Sequence, residues 1–216
     1  GEKPKKVLKK IARMLNEDGM DNVKLITTAK VPIVKFIDSQ SKIPVDISIN
    51  NSLAVHNTEL LRRYSALDSR VKPFIISIKY WARSRGISDA AMGTFSSYAW
   101  TLIAINYLQS LEQKVLPNLL KKDDSDTVDI DGTNYDIGMF LNEELSFTTQ
   151  NKSNIGELLS GFFEVLAKDW PWNNGVISVG SGKILTRKEK NWVATKPYIS
   201  DAIQDSEIKR LGKFAL

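Results

Sequence analysis

At Asn51 the apolar pattern of this 216-residue chain changes character, and that change limits the fold more than any single motif does. Before it, short segments rich in β-branched residues read as strands: Val23 to Ile26, Val31 to Asp38 and Ile43 to Ile49. A polar, hairpin-length turn at Asp38 to Lys42 joins the last two. After it the period becomes helical, over approximately Thr58 to Leu67, Val71 to Arg85, Thr94 to Glu112 and Ser153 to Lys168. One more helix, Pro4 to roughly Glu17, precedes the strands, with Val7, Leu8, Ile11, Met14 and Leu15 on one face and lysines on the other. Strands followed by a run of helices predict an α+β chain with a domain boundary near residues 50 to 54.

Three places on this frame carry chemistry. In the third strand, Ile43, Val45, Ile47 and Ile49 fall on one face, and Asp46, Ser48 and Asn50 on the other. A carboxylate beside hydroxyl and amide groups suits the wall of an ion- or phosphate-binding cleft, and a plain solvated sheet face is the alternative. In the helix from Val71, the residues Phe74, Ile75, Ile78, Trp81 and Ala82 form the buried stripe, while Lys72, Lys79 and Arg83 share another face. Lys79 and Arg83 are one turn apart, able to converge on one anion or simply to solvate the helix. At the start of the next helix, Thr94 is the expected N-cap, with Ser96 and Ser97 in a first turn whose free N–H groups favour an anion. Tyr98 adds a flat ring suited to stacking on a base; capping hydroxyls beside a core tyrosine is the plainer reading.

Other features exclude chemistry. There is no cysteine, so disulfides and thiolate metal sites are ruled out. No apolar run approaches the ~18 residues that span a bilayer, and the first residues lack a secretory apolar core. The net charge of +5 is compatible with a polyanionic partner, although Lys3, Lys5, Lys6, Lys9 and Lys10 read as a solvated helix face. Residues 121 to 136 hold six Asp in sixteen positions and read as a solvated loop. Gly180-Ser181-Gly182-Lys183 reads as a turn between two strands. It is no P-loop, because Ile177 stands where its first Gly belongs and Ile184 replaces the Ser or Thr after the lysine. Thr127 to Gly138 fails as a calcium loop at both its first and its last position. His56, the single histidine, is expected to be structural.

Taken in order, VPIVKF, VDISINNSLAVHNT, LDSRVKPFIISIKYWARSRGI and GTFSSYAWTLIAINYLQ resemble the template-independent RNA nucleotidyltransferases, the terminal uridylyltransferases and cytoplasmic poly(A) polymerases. IGELLSGFFEVLAKDW and WNNGVISVGSGKIL resemble the PAP-associated part of their central domain, so the match covers nearly all of residues 29 to 195. The resemblance implies a partial nucleotidyltransferase palm over residues 1–52 and a helical central domain over 53–216. It implies that Asp46 is the third metal-binding carboxylate. Asn51, Asn57 and Thr58 would contact the ribose and its neighbours, Lys79 and Arg83 the triphosphate, and Ser97 a phosphate, with Tyr98 stacking on the base. The implied metal is Mg²⁺ or Mn²⁺; the implied partners are UTP or ATP and an RNA 3′ end, with no membrane and a cytoplasmic location.

Two departures shape the expectation. The family carries a Gly-Ser motif and an Asp-x-Asp pair upstream of the strand that resembles Val31 to Asp38, and the residues before that strand hold neither. Glu17, Asp18 and Asp21 have the wrong spacing, and Asp129-Ile130-Asp131 follows Asp46 within the acidic stretch. The acidic base-reading segment of the family does not occur before Leu216. The expectation is therefore an internal fragment of a polymerase that adds UMP or AMP to RNA ends, inactive alone because two metal ligands lie elsewhere. The alternative is a catalytically inactive nucleotidyltransferase-like module that binds RNA or protein.

Overall fold

A proline where the chain turns helical and a glycine where it stops frame the first element, α1 (Pro4–Glu17). Pro4 sits in the first turn, where a missing N–H costs nothing. At the other end Gly19 adopts φ 73°, and the N–H groups of Gly19 and Met20 donate to the carbonyls of Asn16 and Leu15 at 3.2 and 3.0 Å. That pair of bonds closes the helix in the left-handed terminating motif that glycine permits. Leu8 is fully buried, but Met14, expected on the apolar face, lies at its margin and is 59% exposed.

The computed structural model describes residues 3–28, 31–119, 127–130, 133–136, 147–168, 170, 175–179, 181–186 and 188–189. The chain is α+β and divides into one unit running to Val55 and another beginning at His56. No helix among the described residues is long and apolar enough to cross a membrane.

In the first unit, α1 is followed by an antiparallel sheet, β1 (Asp21–Ile26), β2 (Ile33–Ile37) and β3 (Pro44–Ser48), in that spatial order. β3 alternates as expected, with Val45 and Ile47 turned inward and Asp46 and Ser48 outward. Ile43 does not join its inward face and is 59% exposed. The reason is the turn: Lys42 takes φ 57°, and the Ile43 carbonyl closes the hairpin by accepting from Asp38 N–H at 2.9 Å. Asp38 holds that turn by accepting from the Ser41 hydroxyl and N–H at 2.6 and 2.7 Å, bonds that hold its carboxyl below the usual carboxylate range.

α2 (Ser52–Leu67) begins in the last residues of the first unit and continues as the leading helix of the second; it starts well before the expected Thr58 and so places Asn57 and Thr58 inside a helix. Next come α3 (Val71–Ser84) and α4 (Ser97–Ser110). Every residue of α4 from Ala99 to Gln109 is buried, as a helix apolar on all sides requires. α3 supplies Val71, Phe74, Ile78 and Ala82 to this core, and α5 (Ile155–Lys168) supplies Leu158, Phe162 and Leu166. Phe74, Tyr107 and Phe162 form one ring cluster with centroids 5.4 to 5.9 Å apart. The buried Gln109 amide nitrogen crosses this core, reaching the Tyr64 hydroxyl at 3.0 Å and the carbonyls of Pro117 and Val179 at 3.1 and 3.0 Å, while its Oε1 has no protein partner. At the α2–α3 corner, Arg70 donates to both Asp68 oxygens, to Asn151 Oδ1 and to the Ser153 carbonyl, fastening that corner to the segment before α5.

Two short hairpins complete the described residues. Part of the acidic stretch, expected as loop, pairs antiparallel as β4 (Thr127–Ile130) and β5 (Thr133–Asp136). Asp-Gly between two alternating segments is the sequence signal for such a hairpin. β6 (Gly175–Ser178) and β7 (Lys183–Thr186) pair antiparallel, as expected of the strands read on either side of the glycine-rich turn.

Candidate functional site

In the first unit the site residue is Asp46, at the centre of β3 on the outward face, with 54% of its side chain exposed. Strand register sets Lys35 of β2 directly across from it, and Lys35 Nζ stands 3.2 Å from Asp46 Oδ2. Sequence reasoning missed Lys35; the hairpin turn that fixes the register was the available signal. An ion pair this open contributes roughly 0–1 kcal/mol, so an arriving cation can displace the lysine at little cost. Asn51, half-buried, precedes α2 and accepts from Ala54 N–H through its carbonyl at 3.0 Å. Mg²⁺ takes about six oxygen ligands. Among the described residues no group of three or more His, Cys, Asp or Glu converges to hold a metal. Asp46 with an ammonium beside it is one donor, and the described residues do not by themselves make a metal centre.

The second unit carries the remaining candidates on α2, on α3 and in the first turn of α4. Its N-cap is Ser96, in extended backbone, whose hydroxyl accepts from Ala99 N–H at 3.1 Å. Thr94, expected to be the cap, is engaged elsewhere: its hydroxyl accepts from Asp89 N–H and donates to the Asp89 carbonyl, both at 2.8 Å. Competition from Asp89 for that hydroxyl moves the helix start to Ser97. Ser97 is therefore the first helical residue, exposed, beside N–H groups that have no partner within the helix. Tyr98 follows, half-buried, and donates its hydroxyl to Asn57 Oδ1 of α2 at 2.9 Å. Asn57 is only 9% exposed, so this bond is the main satisfaction of its carbonyl oxygen. Burial pushes the Tyr98 hydroxyl pKa well up, which keeps it a neutral donor. Thr58 is exposed beside Asn57, and His56 is half-buried in α2.

Lys79 and Arg83 stand on α3 one residue past the buried Ile78 and Ala82, which turns both outward. Neither has a carboxylate partner among the described residues, whereas Arg62 and Arg63 pair with Glu59, and Arg70 with Asp68. The last turns of α3 lie against the first turn of α4. Trp81 meets Trp100 edge-on at 5.6 Å, and Trp100 Nε1 donates to the Ile87 carbonyl at 2.8 Å. Thus one end of this unit carries two open cations, a helix N-terminus with an exposed serine, and an aromatic ring held by a buried amide. Such a set can bind a polyphosphate and stack on a flat base.

The chain is similar to known RNA nucleotidyltransferases. Residues 1–66 match the central palm domain of mitochondrial-like poly(A) RNA polymerases, and residues 154–206 match the PAP-associated model of Cid1-family poly(A) polymerases. Poly(A) RNA polymerase GLD2-A of Xenopus laevis is 39% identical over 168 residues, which is 74% of this chain and 31% of the frog protein. The structure of a cytoplasmic RNA terminal U-transferase superposes with a TM-score of 0.73 at 31% identity, covering 96% of this chain and 70% of its own. The Cid1 poly(U) polymerase bound to MgATP superposes with a TM-score of 0.75 at 29% identity, covering 96% and 68%. Cid1 is also known with the UTP analogue UMPNPP and with the short product ApU. The chain spans about a third of the curated relatives it matches, 31% of GLD2-A and 37% of cid11 from Schizosaccharomyces pombe.

Proposed function

We propose that this chain, which belongs to the template-independent RNA nucleotidyltransferase family, carries the nucleotide-holding part of an enzyme that adds AMP or UMP to RNA 3′ ends. The observation that carries the reading is the Tyr98–Asn57 hydrogen bond, which fixes an aromatic ring at the N-terminus of α4. Lys79 and Arg83 take the triphosphate of ATP or UTP through charge-assisted hydrogen bonds. Ser97 and the free N–H groups around it take a phosphate. Tyr98 stacks on the base. With Asn57 Oδ1 committed to the tyrosine, the same side chain offers N–H donors, which suit the oxygens of a ribose or base. Asn51 and Thr58 complete the contacts to the ribose and its surroundings.

Asp46 would be one ligand of Mg²⁺, or of Mn²⁺ in its place, supplying a carboxylate that now pairs with Lys35. Support comes from Cid1, which is known with MgATP. The assignment extends to residues 1–52 as part of a palm and 53–216 as the central domain, and to a cytoplasmic location. One carboxylate cannot organise a metal centre alone, so the isolated chain binds nucleotide and does not extend RNA. The test is incorporation of each of the four nucleoside triphosphates by the full-length protein. Asp46→Ala abolishes addition of AMP or UMP and leaves the fold intact, and retained activity overturns the assignment. The Lys35–Asp46 pair favours a second reading, a non-catalytic module whose carboxylate is already neutralised. Absence of Gly-Ser and Asp-x-Asp from the intact reading frame would decide for it.

A further inference from the structure

The face of α3 that turns away from its core carries more than the two cations of the nucleotide clamp. Lys72, Ile76 and Tyr80 follow one another at successive turns, with Lys79 and Arg83 along one side of that line. Tyr80 is 76% exposed and Ile76 55% exposed, in a helix whose opposite face holds Val71, Phe74, Ile78 and Ala82 fully buried. Large apolar groups left open on a helix that has already buried its stripe call for an occupant. Charge selects which one. No carboxylate among the described residues pairs with Lys72, Lys79 or Arg83, and Glu and Asp are absent from α3 altogether. An acceptor for this face therefore brings negative charge and flat apolar surface together, and single-stranded nucleic acid has both.

We propose that this stripe of α3 is a contact track for the RNA strand, with Tyr80 as a stacking platform for a base, Ile76 as its apolar floor and Lys72 on a phosphate. The proposal rests on the nucleotidyltransferase reading, because it sets the RNA beside the residues assigned to the incoming nucleotide. Lys72 to Tyr80 covers about 12 Å of helix, enough for a short run of nucleotides beside the clamp.

Binding of a short fluorescein-labelled single-stranded RNA to the 216-residue chain, read by polarisation, tests it, with ATP and UTP affinity measured in parallel. Tyr80→Ala weakens RNA binding by about tenfold, the loss of one stacked base. Tyr80→Phe retains the affinity, and both variants melt with the wild type because the side chain is open. Lys72→Ala lowers the slope of log K against log salt by about 0.7, one phosphate of a single strand. Nucleotide affinity is unchanged in all three. RNA affinity unchanged in Tyr80→Ala while nucleotide still binds overturns the proposal and gives the face to a protein partner. A wild-type chain that binds nucleotide but no RNA overturns it as well. A wild-type chain that binds no nucleotide refutes the parent reading, and the track falls with it.

Discussion

Replacing Tyr98 with phenylalanine separates the hydrogen bond to Asn57 from the base stacking proposed for the same side chain. The hydroxyl donates to Asn57 Oδ1 at 2.9 Å, and Asn57 is 9% exposed, so water replaces the lost donor poorly. Leaving a buried acceptor unmet costs about 1–3 kcal/mol, and the easier burial of a phenyl ring returns part of it. A net loss of about 1 kcal/mol lowers the melting temperature of a protein this size by roughly 2–4 °C. The ring itself remains, so calorimetric titration with ATP or UTP shows little change for Tyr98→Phe. Tyr98→Ala removes the ring and weakens nucleotide binding by about 1–3 kcal/mol, roughly 5- to 150-fold. The hydroxyl stays neutral through the physiological range because burial raises its pKa, so the effect is the same from mildly acid to mildly basic solution. A double-mutant cycle with Asn57→Ala gives a coupling of about 1 kcal/mol. Zero coupling with an unchanged melting temperature refutes the hydrogen bond as a fixture of the site. Undiminished nucleotide affinity in Tyr98→Ala refutes the stack.

Lys79→Ala raises the dissociation constant for nucleoside triphosphate by about 1.5–3 kcal/mol without shifting the melting temperature, because no carboxylate among the described residues pairs with it and its side chain is exposed; titration against the nucleoside alone shows no such loss. Gly161→Ala improves the intrinsic helix propensity of α5 by about 1 kcal/mol. Even so, it destabilises by about 1–3 kcal/mol in a denaturant titration, because the new methyl falls against the Tyr107 hydroxyl, and Tyr107 is 4% exposed and packed on Phe74 and Phe162. Hydrogen bonds from Arg70 hold the Asp68 carboxyl below its ordinary range. A lowered folded pKa means that the stabilisation is complete above the unfolded carboxylate value and fades as the pH falls through the folded one. Asp68→Asn is therefore less stable than wild type at neutral pH, and the two melting curves converge below about pH 4. A difference that persists in acid would point to packing in place of charge.

Much of the frame was legible because it depends on local periods. The outward placement of Asp46 follows from the two-residue repeat of a strand, and the outward placement of Lys79 and Arg83 from the helical repeat around Ile78 and Ala82. What sits opposite Asp46 was not legible, since Lys35 is delivered by strand register, a property of two segments and the turn between them. The start of α4 was legible only to within a few residues. Thr94 and Ser96 are both good caps in isolation, and the contest is decided by Asp89, which holds the threonine hydroxyl. α2 was read short because its first residues, Ser52 to Asn57, mix polar and apolar side chains with little facial contrast. The β4–β5 hairpin was obscured because aspartates that suggested solvent outweighed the alternation in Thr127–Ile130. Tyr98 and Asn57 are 41 residues apart, and no local pattern could have joined them.

The burial of α4 on every side has a consequence for how substrate is captured. A helix with no solvent face opens only with global unfolding, so its amides belong among the slowest to exchange hydrogen with water. The groups proposed to hold the nucleotide stand in the first turn of that slow element and on the helices α2 and α3, not on a loop that must order itself around the ligand. On the proposed reading, capture would cost little conformational entropy on this side, as docking against a finished wall.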